Sequence, residues 1–244
     1  MLITKEIPNS ISAEAYRNLR TKIKYYSIDK EIQTIVVTSS ETGEGKSTVS
    51  GNLAISLSCN GSRVLVIDCD LRRPSLHKKF DVSNMVGLTD YLIGSSKYEE
   101  VLQKVNNNLF VLTSGTRPPN PAEIIGSNRF EKFIKELKIN FDYIILDTPP
   151  VRAVADSQIL AAKADATLLV VKSGRSKRKS IYSAYEDLTK VKANVIGTVI
   201  NALEIDKKDN YYYRFSEDNK KIFRFNKRRH WLIFVVKELK VWKI

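Results

Sequence analysis

The sequence predicts one α/β domain built on a mostly parallel sheet with helices on both faces, and three observations predict it. Six short apolar runs punctuate the chain: TIVVT (34–38), RVLVID (63–68), NLFVL (108–112), YIILD (143–147), ATLLVV (166–171) and VIGTVI (195–200). They are continuous rather than alternating, as strands covered on both faces are. Helix-like segments lie between them, the order expected when helices make the crossovers of a parallel sheet. The first run passes directly into SSETGEGKSTVSGNLA (39–54), a glycine-rich turn that opens a helix. That is the strand, turn and helix order of a phosphate loop.

Taken in order, the N-terminus MLITKEIPNSIS has no apolar signal region, and no run anywhere approaches the roughly 18 apolar residues needed to span a bilayer. SAEAYRNLRTKIK (12–24) reads as a helix, with Ser12 as its cap, Ala13 and Glu14 in the first turn, and Leu19 and Ile23 on one face. Further helices are expected at 47–61, 127–140 and 176–191. NALEIDKKDNYYYRFSEDNKK (201–221) lacks apolar periodicity and reads as a mobile segment, and the chain beyond it becomes basic and apolar together. The expected organisation is a domain over 1–213 that includes the N-terminal helix and a tyrosine cluster, followed by a tail over 214–244.

The chain of 244 residues is large enough to bury a full core, and its 43% hydrophobic and 27% charged composition is that of a folded protein. Cys59 and Cys69 suggest neither a disulfide framework nor a thiolate metal site, so a reducing cytosol is expected. The net charge of +13 invites a nucleic-acid reading. Its location weakens that reading: from Asn219 onward there are nine Lys/Arg against one acidic residue. Charge alone does not choose among DNA, anionic lipid and an acidic protein.

The phosphate loop supplies the first candidate site. Gly43 and Gly45 let the backbone approach phosphates, with Glu44 between them. Lys46 can reach the β and γ oxygens, Ser47 can place a hydroxyl on Mg²⁺, and Thr48 supports the base or α-phosphate side. The usual pattern begins with glycine six positions before the lysine, where this chain has Ser40.

Two acidic strand ends complete the set. In VLVIDCDLRRP (64–74), Asp68 and Asp70 are two apart and project to one side of an extended segment. A carboxylate after four apolar residues needs a cation or a hydrogen-bonding partner; capping the next helix, or pairing with Arg72 and Arg73, would also serve. FDYIILDTPP (141–150) ends a buried strand on Asp147, placed to hold Mg²⁺ from its outer shell, or simply to begin a loop. Nothing supplies zinc, because His77 and His230 lie far apart.

These three segments, with RPPNPAEII (117–125), resemble the bacterial tyrosine kinases that regulate capsule and exopolysaccharide synthesis, relatives of the ATPases that place septa and partition plasmids. The resemblance covers roughly residues 10–213 and implies a P-loop NTPase fold of the deviant Walker A type. It implies ATP and Mg²⁺ as cofactors, with Lys46 and Ser47 on the nucleotide. It also implies Asp68 as the proposed base, Asp70 and Asp147 as magnesium carboxylates, and Arg72 in the catalytic set. The partition ATPases carry a signature lysine five positions before the main one; Glu41 stands there and favours the kinase branch. Tyr211, Tyr212 and Tyr213 match the family's C-terminal tyrosine cluster, which is phosphorylated between subunits, although three adjacent tyrosines could also be an aromatic edge.

Glu14, Arg17 and Arg20, spaced by three, line one helix face. A solvated face explains them, but the resemblance makes them the joint of a homo-oligomer ring. It further implies a separate membrane-embedded activator, recruitment from the cytoplasm to the inner face of the membrane, an opposing tyrosine phosphatase and no nucleic acid. The competing readings are a partition or positioning ATPase that binds DNA or membrane, and a nucleotide-gated adaptor. The tail from Lys220 departs from the family. WLIFVV (231–236) suits an added strand, an interfacial contact or self-association, while an accidental extension explains it without a function. The tail is expected to be dispensable for catalysis.

Overall fold

The structure is a computed structural model that describes residues 2–27 and 31–203, together with the backbone of 232–236. In chain order its elements are α1 (Ile3–Glu6), α2 (Ile11–Tyr26), β1 (Thr34–Ser39), α3 (Lys46–Ser58), β2 (Val64–Asp68), α4 (Leu76–Phe80), α5 (Leu88–Ile93), α6 (Tyr98–Val101) and β3 (Leu102–Lys104). They continue with β4 (Leu109–Leu112), α7 (Pro121–Gly126), α8 (Asn128–Asn140), β5 (Tyr143–Asp147), α9 (Asp156–Lys163), β6 (Ala166–Lys172), α10 (Arg178–Lys190), β7 (Val195–Leu203) and β8 (Leu232–Val236). The six expected strands are all present. The short β3 and several short helices carried no signal above that of a loop.

The strands form one sheet in the order β3-β4-β2-β5-β1-β6-β7-β8. β4 through β7 run parallel, while β3 and β8 pair antiparallel at the two edges. β1 is central between β5 and β6. The loops leaving β1, β2, β5 and β6 therefore share one end of the sheet, where ligands of open α/β folds bind. Of the roles open to residues 231–236, the backbone of 232–236 takes that of an added strand, with Leu203 opposite Leu232.

Alternate strand residues feed two cores. Ile35, Val37, Val64 and Val66 pack with α2 and α3 on one face, and Val36, Leu65 and Ile67 pack with α8 and α9 on the other. Both faces are dry, which is why the runs carry no alternation. On α2, Tyr16, Leu19 and Ile23 are fully buried, each worth about 1.5–3 kcal/mol of apolar burial. The helix begins earlier than its sequence suggests. Ser10, not Ser12, is the cap, its Oγ accepting from the Ala13 N–H at 3.1 Å, while Ser12 is buried in the interface. Asn52 on α3 ties the N-terminus down: its Oδ1 accepts from the Thr4 N–H and hydroxyl at 2.9 and 2.7 Å.

Candidate active site

The phosphate loop runs from Ser40 to Lys46 and opens α3 at one wall of a cavity of about 670 Å³. Gly43 and Gly45 have φ of 77° and 99°, a region open to glycine and costly for other residues. Lys46, Ser47 and Thr48 line the cavity from the first turn of α3, so the expected phosphate contacts share one wall. Asp70, Arg72, Arg73 and Lys79 line it from the segment after β2, and Lys172 and Asn201 from the ends of β6 and β7. A pocket with this many cations suits a polyanion.

Glu44 sits differently from its neighbours. Its carboxylate is buried inside the loop, accepting from Ser40 Oγ at 2.9 Å, from the Glu41 N–H at 2.9 Å and from Ser176 Oγ. Ser40, in place of the usual glycine, thus supplies a hydroxyl that braces the turn. Asn201 Nδ2 donates to the Glu44 carbonyl at 2.8 Å and closes the loop from the opposite side.

Asp68 and Asp147 lie opposite each other on the neighbouring strands β2 and β5, and both are fully buried. Burial, and then the Asp147 charge, push the Asp68 pKa up to about 8, although the N–H groups of Leu76 and Ser75 donate to its Oδ2 at 2.9 and 2.8 Å and oppose the shift. Burial raises Asp147 to about 6, against the pull of Ser47, Lys46 and Ser50. Ser50 Oγ donates to Asp147 Oδ1 at 3.0 Å, whereas Oδ2 is buried without a partner among the described residues. Asp70 alone of the three reaches the cavity wall; burial raises its pKa, and its Oδ1 accepts from the Arg73 N–H at 3.0 Å.

The orphaned oxygen of Asp147 tests the fit of Mg²⁺, which prefers hard oxygen donors. Among the described residues no group of three or more His, Cys, Asp or Glu side chains closes on a common point. A cation held by Ser47, Asp70 and Asp147 would therefore need phosphate oxygens and water for the rest of its shell, the usual situation for Mg²⁺ at a nucleotide. The residues fit the ion on those terms.

Arg72 does not pair with the neighbouring aspartates. Its Nε and Nη2 reach the two carboxylate oxygens of the fully buried Asp156, at 3.2 and 3.4 Å, which fixes the guanidinium at the cavity. Glu14 and Arg17 form an exposed ion pair at 2.5 Å on α2, and Arg17 Nη1 also donates to the Pro8 carbonyl at 2.9 Å. Arg20 points inward instead, donating to the Ser56 carbonyl of α3 at 2.8 Å. Tyr211, Tyr212 and Tyr213 lie outside the described residues. Among the described residues no helix is long and apolar enough to cross a membrane.

Sequence reasoning missed Asp156, Lys79, Lys172 and Asn201. Lys172 and Asn201 could have been found, because they end apolar runs as Asp68 and Asp147 do. Asp156 and Lys79 had no such marker: only the packing of α4 brings Lys79 to the cavity, and only that of α9 sets Asp156 behind Arg72.

Comparison with known proteins agrees with this geometry. Residues 32–198 match the AAA domain family AAA_31. The chain is similar to tyrosine-protein kinase YwqD of Bacillus subtilis (strain 168), 40% identical over 213 residues that span 87% of this chain and 90% of that one. The crystal structure of the chimerical protein CapA2B2 superposes with a TM-score of 0.79 at 34% identity, covering 82% of this chain and 88% of that one. The kinase domain of the Escherichia coli tyrosine kinase ETK gives a TM-score of 0.80 at 27% identity, covering 93% and 84%.

Proposed function

The chain belongs to the bacterial tyrosine kinases of the capsule and exopolysaccharide family, and from that premise we propose that it transfers the γ-phosphoryl group of ATP to Tyr211, Tyr212 and Tyr213 of a neighbouring copy. The bond from the γ-phosphorus to the β–γ bridging oxygen breaks, a bond to the phenolic oxygen forms, ADP leaves, and the phenolic proton passes to a carboxylate. The observation that carries this reading is the buried Oδ2 of Asp147, without a hydrogen-bond partner among the described residues, beside a cation-lined phosphate loop. A buried carboxylate oxygen of this kind suits a cation or the water on one.

Each residue then has a part. Lys46, with Arg72 held by Asp156, meets the phosphate oxygens, and the backbone of 43–48 cradles them. Ser47, Asp70 and Asp147 would hold Mg²⁺, whose chemistry at such a site is to neutralise charge on the phosphates. Asp68, buried opposite Asp147 and two residues before Asp70, accepts the phenolic proton as transfer completes; its burial favours the protonated form once the proton arrives. Because Asp68 is held by the N–H groups of Ser75 and Leu76, proton acceptance there requires the 69–75 segment to yield.

A positioning ATPase would carry a lysine at position 41; here Glu41 Oε1 accepts from Ser180 Oγ at 2.7 Å and lies against α10. The α2 face with Glu14 and Arg17 joins copies into a ring, and a separate membrane-embedded activator recruits the ring to the inner face of the membrane. An opposing phosphatase resets the tyrosines, and the cycle regulates polysaccharide synthesis. The test is transfer of label from γ-labelled ATP to protein tyrosine, with and without the activator. Release of phosphate with no labelled tyrosine in either state would refute the kinase reading.

A further inference from the structure

The turn after β6 is built onto the phosphate loop. Ser173 N–H donates to the Asn201 carbonyl at 2.9 Å, Gly174 adopts φ of 67°, and the Arg175 and Ser176 N–H groups return to the Lys172 carbonyl at 3.2 and 3.0 Å. Ser176 Oγ accepts from the Lys172 N–H at 2.7 Å and donates to the buried carboxylate of Glu44. Ser180 fixes Glu41 from the next helix. These anchors place one side chain over the loop: the Arg175 guanidinium nitrogens lie 3.4 and 3.6 Å from where a Cβ on Gly43 would be. The side chain of Arg175 is exposed and forms no hydrogen bond or ion pair among the described residues. A clamp would use its guanidinium; this one is presented.

We propose that Arg175 is a catalytic residue that contacts the terminal phosphate of the bound nucleotide and stabilises the charge on its equatorial oxygens during transfer. The proposal rests on the phosphoryl-transfer reading above. At the position where related ATPases place a cation, this chain has Glu41, held away by Ser180. The compensating charge comes instead from the β6–α10 turn, which Glu44 locks to the loop. A planar guanidinium suits this task because it pairs with two phosphate oxygens at once. The Glu44–Ser176 link holds the turn that carries Arg175 against the loop, so the guanidinium has only its own side chain to order. Gly43 is its neighbour in the loop: a Cβ there would stand in ordinary van der Waals contact with the guanidinium, 3.4 Å from Nη1.

The experiment compares the full-length chain with Arg175→Ala and Arg175→Lys. Two quantities are read: affinity for Mg-ADP alone and with fluoroaluminate, a planar mimic of the phosphoryl group in flight, and single-turnover transfer from γ-labelled ATP. The alanine variant is expected to bind ADP within about twofold of wild type, yet to lose the added affinity for the fluoroaluminate complex and to transfer about 10²-fold more slowly. The lysine variant should fall between. Because Arg175 is exposed, unfolding midpoints should coincide. Fluoroaluminate affinity and transfer both within about twofold of wild type would overturn the proposal, as would a wild-type protein that gains nothing from fluoroaluminate over ADP. Should wild type hydrolyse ATP without labelling tyrosine, the kinase reading fails while the fluoroaluminate comparison still decides the role of Arg175.

Discussion

Replacing Gly45 by alanine tests how the phosphate loop is held. The new Cβ would stand 1.9 Å from Asn201 Nδ2 and 3.2 Å from its Cγ, at a backbone φ of 99°. The left-handed backbone costs about 1–2 kcal/mol for a residue with a Cβ. Asn201, which is 1% exposed, must also withdraw from the Glu44 carbonyl and strand a buried amide, at about 1–3 kcal/mol. The stiffer unfolded chain offsets about 0.4–1 kcal/mol. The net expectation is a loss of about 2–4 kcal/mol, read by urea unfolding, with nucleotide binding lost alongside. A double-mutant cycle separates the terms. In an Asn201→Ala background the clash is gone, so the Gly45→Ala penalty should shrink to the backbone part, a coupling of at least about 1 kcal/mol. A penalty that is the same in both backgrounds to within about 0.5 kcal/mol would refute the reasoning.

Other expectations follow from the same geometry. Without metal or nucleotide, Asp68 and Asp147 have pKa values raised to about 8 and about 6 in the folded state, so their contribution to stability is complete below the ordinary carboxylate pKa and is lost as pH rises through those values. The urea midpoint in chelator should therefore fall between about pH 4 and 8, and Asp68→Asn should flatten the upper part of that fall. Asp165, whose pKa is lowered by Lys138 and Thr34 against burial, acts in the opposite sense and contributes stability that is lost as pH drops below the carboxylate range. Arg20→Ala should destabilise the monomer by about 1 kcal/mol through its lost bond to Ser56, whereas Arg17→Ala, part of an exposed pair, should leave urea unfolding within about 0.5 kcal/mol of wild type. Arg17 is thus the clean probe of the ring, and its charge reversal should lower the mass seen by light scattering. Asp156→Asn should reduce transfer by about tenfold with ADP affinity less affected, since its direct effect is to loosen the guanidinium of Arg72.

The sheet was legible because each buried strand announces itself as an apolar run, and the site was legible wherever a polar residue ends such a run. Asp68 and Asp147 stand at those ends, and the same rule, applied further, reaches Lys172 and Asn201. What the sequence hides is orientation. Asp68 and Asp70 are two apart, yet the first is taken up by backbone N–H groups at the entry to α4 while the second reaches the cavity. Glu44 looks like one more loop residue until its carboxylate is found between Ser40 and Ser176. The helix face of Glu14, Arg17 and Arg20 reads as one charged stripe, but Arg20 is committed to α3. Ser56 and Ser176 lie dozens of residues from the groups they hold, and only packing reveals them.

The central claim, that this site moves a phosphoryl group to tyrosine, is tested most directly by incubating the full chain with γ-labelled ATP and Mg²⁺ and mapping the labelled peptide, with Lys46→Met as the inactive control. The account predicts phosphotyrosine confined mainly to Tyr211, Tyr212 and Tyr213, lost in Lys46→Met. It also predicts that label returns when a Lys46→Met chain bearing those tyrosines is mixed with an active chain carrying phenylalanine in their place. Label at wild-type level in the Lys46→Met chain alone, or none in the wild-type chain with its activator present, would contradict it.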